Sequence, residues 1–231
     1  MSKEKAKWET LRVEIDNSYE LSSKWIDAID LFHARVEKKF FRPIETIMSS
    51  KKFEGEGFMI LTAQCSLIEF LAAFREGKIY NYKAKKTSPT YEYKDSGKLY
   101  TSFLLTANIF DGIFFSTDVN GNKVPNVPFS AEDFYSEVRC GLLHEAKTKG
   151  DWTVNVKKGS KRETIFVEQT KTAKKIYRTI LHHRLKHYVQ SYCLDLKLED
   201  SKKERRLFAR KLDDLFDFPR DSAQFDWWTD P

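Results

Sequence analysis

Phe134-Tyr135-Ser136-Glu137-Val138-Arg139-Cys140-Gly141-Leu142-Leu143-His144-Glu145 sets an arginine and a histidine five residues apart in an otherwise apolar helical stretch. Ser130 before it reads as an N-cap, with Glu132 and Asp133 filling the first turn where acidic groups suit the positive end of a helix. Lys147 to Gly150 reads as its stop.

Outward from this stretch the chain reads as mostly helical. Trp8 to Phe41 carries apolar residues at helical spacing, with Trp25, Ile26, Ile29, Leu31, Phe32 and Val36 as the stripe, and Pro43 limits or restarts the helix. After the Gly55-Glu56-Gly57 breaker, Phe58 to Phe74 is apolar almost all round and is expected to be a central buried helix ending at Gly77. A third apolar helix is expected over Tyr100 to Phe115, followed by a loop with Asn120-Gly121, Pro125 and Pro128.

Beyond His144 the period changes. Trp152 to Val156 and Glu163 to Val167 are rich in β-branched residues, and Lys157 to Arg162 with Gly159 between them predicts a β-hairpin over about 151–168. Helical periodicity returns from Thr172 to about Leu198 and again from Lys202 to Phe216. The acidic, aromatic tail over 217–231 is expected to dock on the body or on a partner.

The 231 residues fit one domain with an insertion, and 14 % aromatic and 32 % charged residues describe a well-filled globular interior. Forty basic against 34 acidic residues leave a net charge of +6, which favours polyanions without the charge density of a histone-like binder. Cys65, Cys140 and Cys193 are far apart with no C-x-x-C spacing, so no disulfide framework, zinc knuckle or other metal site is expected, and a reducing cytoplasm fits them. The charged opening predicts no secretory signal, and no uncharged run suggests a membrane span or membrane partner. Neither a Gly-rich phosphate loop nor a Rossmann fingerprint is present, and no cofactor is implied.

Arginine and histidine are the parts that RNA cleavage without a metal requires: a fork of donors for the phosphate and a side chain that changes protonation nearest neutral pH. In a straight helix an i,i+5 pair sits about 140° apart and about 7.5 Å along the axis, so one helix alone aims the two poorly. A helix that ends near His144, or two copies meeting across a two-fold axis, relieves the mismatch.

With its Arg-x4-His spacing at Arg139 and His144, after a capped helix and several apolar helices, the segment resembles the HEPN family (higher eukaryotes and prokaryotes nucleotide-binding domains). The likeness covers roughly residues 20–146. It implies an all-α fold, an antiparallel HEPN-type bundle built as a homodimer, to which the periodicity adds a small inserted hairpin and C-terminal helices over about 172–216. The activity it implies is metal-independent RNA cleavage by 2′-hydroxyl attack, in host defence or toxin–antitoxin biology, with a regulatory protein as partner. Arg139 and His144 match the catalytic pair, which the family places with its symmetry mates in one cleft at the dimer interface. Glu69, Cys140 and Glu145 are the candidate supports, and Lys147 and Lys149 the candidate RNA contacts beside the cleft.

Two positions depart from the family pattern. Cys140 replaces the polar residue that commonly follows the arginine, which favours the alternative of a non-catalytic module binding RNA, nucleotide or protein. Ala146 occupies the place of the tyrosine that antitoxin nucleotidyltransferases modify, so silencing by that route is not expected. The spacing recurs at Arg178 and His183 in a basic late helix whose His183 and His187 lack a third metal ligand, so that helix reads as an electrostatic surface. Finally, Lys78 to Tyr100 interleaves Tyr80, Tyr82, Tyr91, Tyr93 and Tyr100 with Lys83, Lys85 and Lys86, a mixture suited to single-stranded RNA or to packing the loop on its own domain.

Overall fold

The computed structural model describes residues 2–15, 17–50, 55–124, 129–156 and 165–229, and these are rich in helix with small sheets of two or three strands. In chain order they form α1 (Lys3–Glu14), α2 (Ser23–Val36), a π-turn (Glu37–Phe41), α3 (Arg42–Ser49) and α4 (Glu56–Glu76). There follow β1 (Ile79–Tyr80), β2 (Glu92–Tyr93), α5 (Ser96–Thr106), a 3-10 turn (Asn108–Phe110), β3 (Ser116–Thr117) and β4 (Lys123–Val124). The motif region is α6 (Ala131–Asp133), a π-turn (Phe134–Arg139) and α7 (Cys140–Glu145). The chain ends with β5 (Trp152–Asn155), β6 (Val167–Gln169), β7 (Lys174–Tyr177), α8 (Arg178–Asp195), α9 (Lys202–Leu215) and a 3-10 turn (Asp226–Trp228).

Two compact units result, neither a continuous stretch of chain. The first gathers Met1–Glu37, Phe70–Ser96 and Val189–Pro231; the second gathers Lys38–Glu69 and Gly97–Tyr188.

In the first unit Phe32 is surrounded by Phe70, Phe74, Tyr192 and Phe208, with ring centroids 4.7 to 6.0 Å away. Gly77, at φ +56°, lets the end of α4 meet the backbone of α9: a Cβ there would lie 2.9 Å from Leu207 Cα. The Asp213 carboxylate is fully buried and accepts from Trp8 Nε1 (2.8 Å), Arg12 Nε (2.8 Å) and Nη2 (2.6 Å), and Trp227 and Trp228 Nε1 (both 2.9 Å). Arg206 and Arg210 donate to carbonyls of Asp226, Trp227 and Thr229. The acidic aromatic tail therefore docks on its own unit. Its rings need apolar cover, and their N–H groups need the acceptor that Asp213 supplies.

In the second unit the core is an aromatic cluster in which Phe134 meets Phe114, Trp152 and Phe166 at 5.4 to 6.2 Å. Strand pairing here corrects the expected hairpin. Trp152–Asn155 runs parallel to Lys174–Tyr177, which is central, and Val167–Gln169 pairs antiparallel on its other side. The tight turn lies at Thr170–Ala173, where Thr170 Oγ1 accepts the Ala173 N–H at 3.0 Å. Lys174–Tyr177 places Ile176 against both Val154 and Val167, and α8 starts only at Arg178, later than the periodicity predicts. The expected turn over Lys157–Arg162, together with Glu163 and Thr164, lies outside the described residues, as do Pro125 and Pro128.

Other boundaries differ for local reasons. The Tyr100–Phe115 helix stops at Thr106 because Ala107 turns extended, at φ −80° and ψ 125°, before the 3-10 turn. Pro43 comes directly after the π-turn, and the helical geometry runs through it; a proline inside a helix removes one N–H donor, and the π-turn is where the register adjusts. Ile26, expected in the α2 stripe, is exposed. Among the described residues α4 is long and apolar enough to cross a membrane, unlike the sequence expectation, but 56 % of its apolar window is buried inside the protein, as in a core helix.

Candidate active site around Arg139

Ser130 begins the motif region as expected: its Oγ accepts the Asp133 N–H at 3.1 Å. The following π-turn inserts one residue into the helical register, a feature often found where a helix carries function. Phe134, Val138 and Leu142 face the core, which leaves Arg139 and Cys140 half-buried and His144 exposed.

Ala146 ends the helix in the left-handed region at φ +52°, and the chain folds back over it. Lys149 N–H reaches the Glu137 carbonyl at 2.8 Å, and the Lys147 carbonyl passes so near Gly141 that a Cβ there would lie 2.6 Å from its oxygen. Glu137 also receives Trp152 Nε1 at 2.8 Å, tying the helix to the start of β5.

Arg139 donates from Nη2 to Glu69 Oε2 at 2.6 Å, and its guanidinium carbon lies 5.3 Å from the Tyr135 ring centroid. Its Nη1 is 3.9 Å from Cys140 Sγ, a weak contact at most. Burial works against the guanidinium charge, but the bond to Glu69 and that carboxylate's charge outweigh it and hold Arg139 above its ordinary pKa. The arginine is therefore a permanent cation.

Behind it the Tyr135 ring packs 5.4 Å from the fully buried Tyr100, whose hydroxyl lies beside the Cys65 thiol without a hydrogen bond of good geometry. Burial pushes Cys65 up to about 12 and Tyr100 well above its usual range, so both stay protonated.

The His144 side chain makes no hydrogen bond or ion pair among the described residues. Glu145 is taken by Lys149 (2.7 Å) and more loosely by Lys147 (3.8 Å). The Lys149 bond lowers the Glu145 pKa, so those two lysines spend part of their charge on a neighbouring carboxylate. Arg139 and His144 of one chain are not bonded to each other, as the i,i+5 offset requires.

The structure thus brings Glu69 to Arg139, keeps Cys140 at its edge, and sets Glu145, Lys147 and Lys149 together at the helix end. Tyr80, Tyr82, Lys83, Lys85 and Lys86 belong to the first unit. The second Arg–His pair is structural at one end: Arg178 is buried against Glu56, and its carbonyl accepts Gln64 Nε2 at 2.7 Å.

Sequence reading missed Tyr135, Tyr100 and Cys65. Helical spacing pointed to two of them, since Tyr135 is four residues before Arg139 and Cys65 four before Glu69. Among the described residues no three His, Cys, Asp or Glu side chains group as metal ligands. Comparison of the chain with protein-family models, curated proteins and solved structures found no match.

Proposed function

We propose that this protein is a metal-independent endoribonuclease of HEPN type, with Arg139 holding the scissile phosphate and His144 moving the proton. The observation that carries this reading is the half-buried Arg139, fixed by Glu69 at 2.6 Å on a short helix whose last turn presents an exposed histidine. An arginine held in place and partly shielded from water stabilises a charged phosphorane more strongly than a mobile one. Its Nη2 is occupied by Glu69 and its Nη1 makes only a weak contact with Cys140 Sγ, one that a phosphate oxygen would displace.

In the proposed reaction the 2′-hydroxyl loses its proton to an imidazole and attacks the adjacent phosphorus. The P–O5′ bond breaks, and the leaving 5′-oxygen takes a proton from a second imidazole. The products are a 2′,3′-cyclic phosphate and a 5′-hydroxyl. Two histidines meet only if two copies pair, so a homodimer belongs to the proposal. Host defence or toxin–antitoxin biology is the setting that the family resemblance suggests.

The alternative is a binding module of the same architecture that does not cut. The commitment of Lys147 and Lys149 to Glu145 favours it, because fewer cations remain for a phosphate chain. Incubating the purified protein with labelled RNA and with DNA of the same sequence in EDTA separates the two. Cleavage of RNA alone with cyclic phosphate ends supports the enzyme; cleavage of DNA, or cutting that needs added metal, counts against it.

A further inference from the structure

The five tyrosines between Lys78 and Tyr100 part company in the structure. Tyr91 and Tyr100 are buried and Tyr93 is half-buried, whereas Tyr80 is 56 % and Tyr82 is 71 % exposed. Strand alternation accounts for the first of these: Ile79 points into the core and Tyr80 away from it. Beyond the strand Asn81 is half-buried, and Tyr82 is exposed in the turn that the Ala84 N–H closes on the Asn81 carbonyl at 2.9 Å.

Two large exposed rings two residues apart are costly to leave in water, and the loop carrying them is built to stay ordered. Tyr80 packs edge-on against Tyr93 at 5.5 Å. Asn81 donates to Glu92 at 2.7 Å and accepts the Lys83 N–H at 3.0 Å, closing a side-chain turn beneath Tyr82. Ser88 Oγ accepts the Lys85 N–H, and the Ser88 N–H returns to the Lys85 carbonyl, both at 3.0 Å.

Lys83, Lys85 and Lys86 are exposed and enter no ion pair among the described residues, unlike Lys147 and Lys149. The Lys83 ammonium lies 5.3 Å from the Tyr82 ring centroid, so charge and ring form one surface.

We infer that Tyr80 and Tyr82, with Lys83, Lys85 and Lys86, form a platform on which successive bases of a single-stranded nucleic acid stack while the lysines hold its phosphates. Both rings stand largely open to solvent beside the three lysines, a surface that suits the exposed base faces of an unpaired strand. A duplex hides the base faces that the rings would need. An acidic protein would use the lysines but would leave the rings without a partner. The ordered loop spares the complex the cost of freezing it.

The inference extends the proposed RNA chemistry but does not depend on cleavage, and the test keeps them apart. A fluorescein-labelled single-stranded deoxyoligonucleotide lacks the 2′-hydroxyl and so survives as a binding probe. By fluorescence anisotropy, Tyr80→Ala and Tyr82→Ala should each weaken binding about fivefold or more, while Tyr80→Phe and Tyr82→Phe keep it. Replacing the three lysines by Gln should weaken binding and flatten its salt dependence, and the matching duplex should bind much more weakly. Tyr82 is the more exposed ring, so Tyr82→Ala should leave the melting temperature where it is, and Tyr80→Phe, which keeps the packing on Tyr93, should do the same.

Binding by the double alanine variant within twofold of the wild type, or equal affinity for duplex, overturns the platform. So does capture of the probe by charge alone, with the lysine variant affected and the tyrosine variants not. RNA left intact beside tyrosine-dependent binding removes the cleavage proposal alone.

Discussion

Replacing Asp213 by Asn tests whether one buried carboxylate holds the first unit together. The two carboxylate oxygens accept five donors: Oδ1 from Trp8 Nε1 and Arg12 Nε, and Oδ2 from Arg12 Nη2, Trp227 Nε1 and Trp228 Nε1. An amide keeps one acceptor oxygen, so either two or three donors face an N–H group instead. The Arg12 guanidinium, stacked 3.9 Å from the Phe225 ring centroid, also loses its counter-charge. Unsatisfied buried donors cost about 1–3 kcal/mol each, and breaking a buried ion pair at one partner costs about 3–5 kcal/mol. The terms overlap, so Asp213→Asn should lose about 4 kcal/mol, a large share of the roughly 5–15 kcal/mol that holds a domain folded. For an m-value near 2 kcal/mol per molar urea this moves the midpoint down by about 2 M. Tryptophan fluorescence reports it well, since three of the chain's five indoles bond this carboxylate. Asp214→Asn, which loses one half-buried i,i+3 ion pair with Lys211, should shift the midpoint by no more than about 0.5 M. A midpoint for Asp213→Asn as small in its shift as the Asp214 control would refute the hub.

Four further expectations follow from the second unit. His182 is buried under Phe41, facing Glu45, Lys186 and His183, and burial outweighs the Glu45 contact to lower its pKa. The unfolded chain then binds the proton first, so this contribution is whole above about pH 6.5 and shrinks below it, by up to about 1.4 kcal/mol per pH unit. Urea midpoints between pH 7 and 5 should fall less steeply for His182→Phe than for the wild type. Gly141→Ala should cost about 1–3 kcal/mol by thermal melting, because its Cβ would meet the Lys147 carbonyl oxygen at 2.6 Å. Ala146→Gly should raise stability by about 1 kcal/mol, since the residue sits at φ +52°. Glu69→Gln should lower the kcat of RNA cleavage about 10- to 100-fold with little change in KM, because it loosens Arg139 without touching substrate; a fall confined to KM would assign Glu69 to binding.

How much of this was legible in the sequence varied with the kind of signal. Ser130 as a cap and the apolar run of α4 were readable because capping chemistry and helical periodicity are local. Glu69 is a candidate support in the sequence, and the structure gives it Arg139 as partner. The strand Lys174–Tyr177 was read as helix because Lys-Lys-Ile-Tyr has no period of its own; its identity comes from two distant strands that Ile176 pairs with. Asp213 was invisible, since nothing in Lys211-Leu212-Asp213-Asp214 tells which aspartate turns inward to meet residues 8, 12, 227 and 228. The interleaving of three segments in one unit and two in the other is likewise set by long-range packing.

The most direct test of the central claim compares RNA cleavage in EDTA by the wild type, Arg139→Ala and His144→Ala, each first shown to be folded and of the same oligomeric state. The account predicts cutting by the wild type with cyclic phosphate ends and a loss of at least about 100-fold in both variants. Cleavage that persists at the wild-type rate in either variant, or RNA left intact by the wild type, would contradict it.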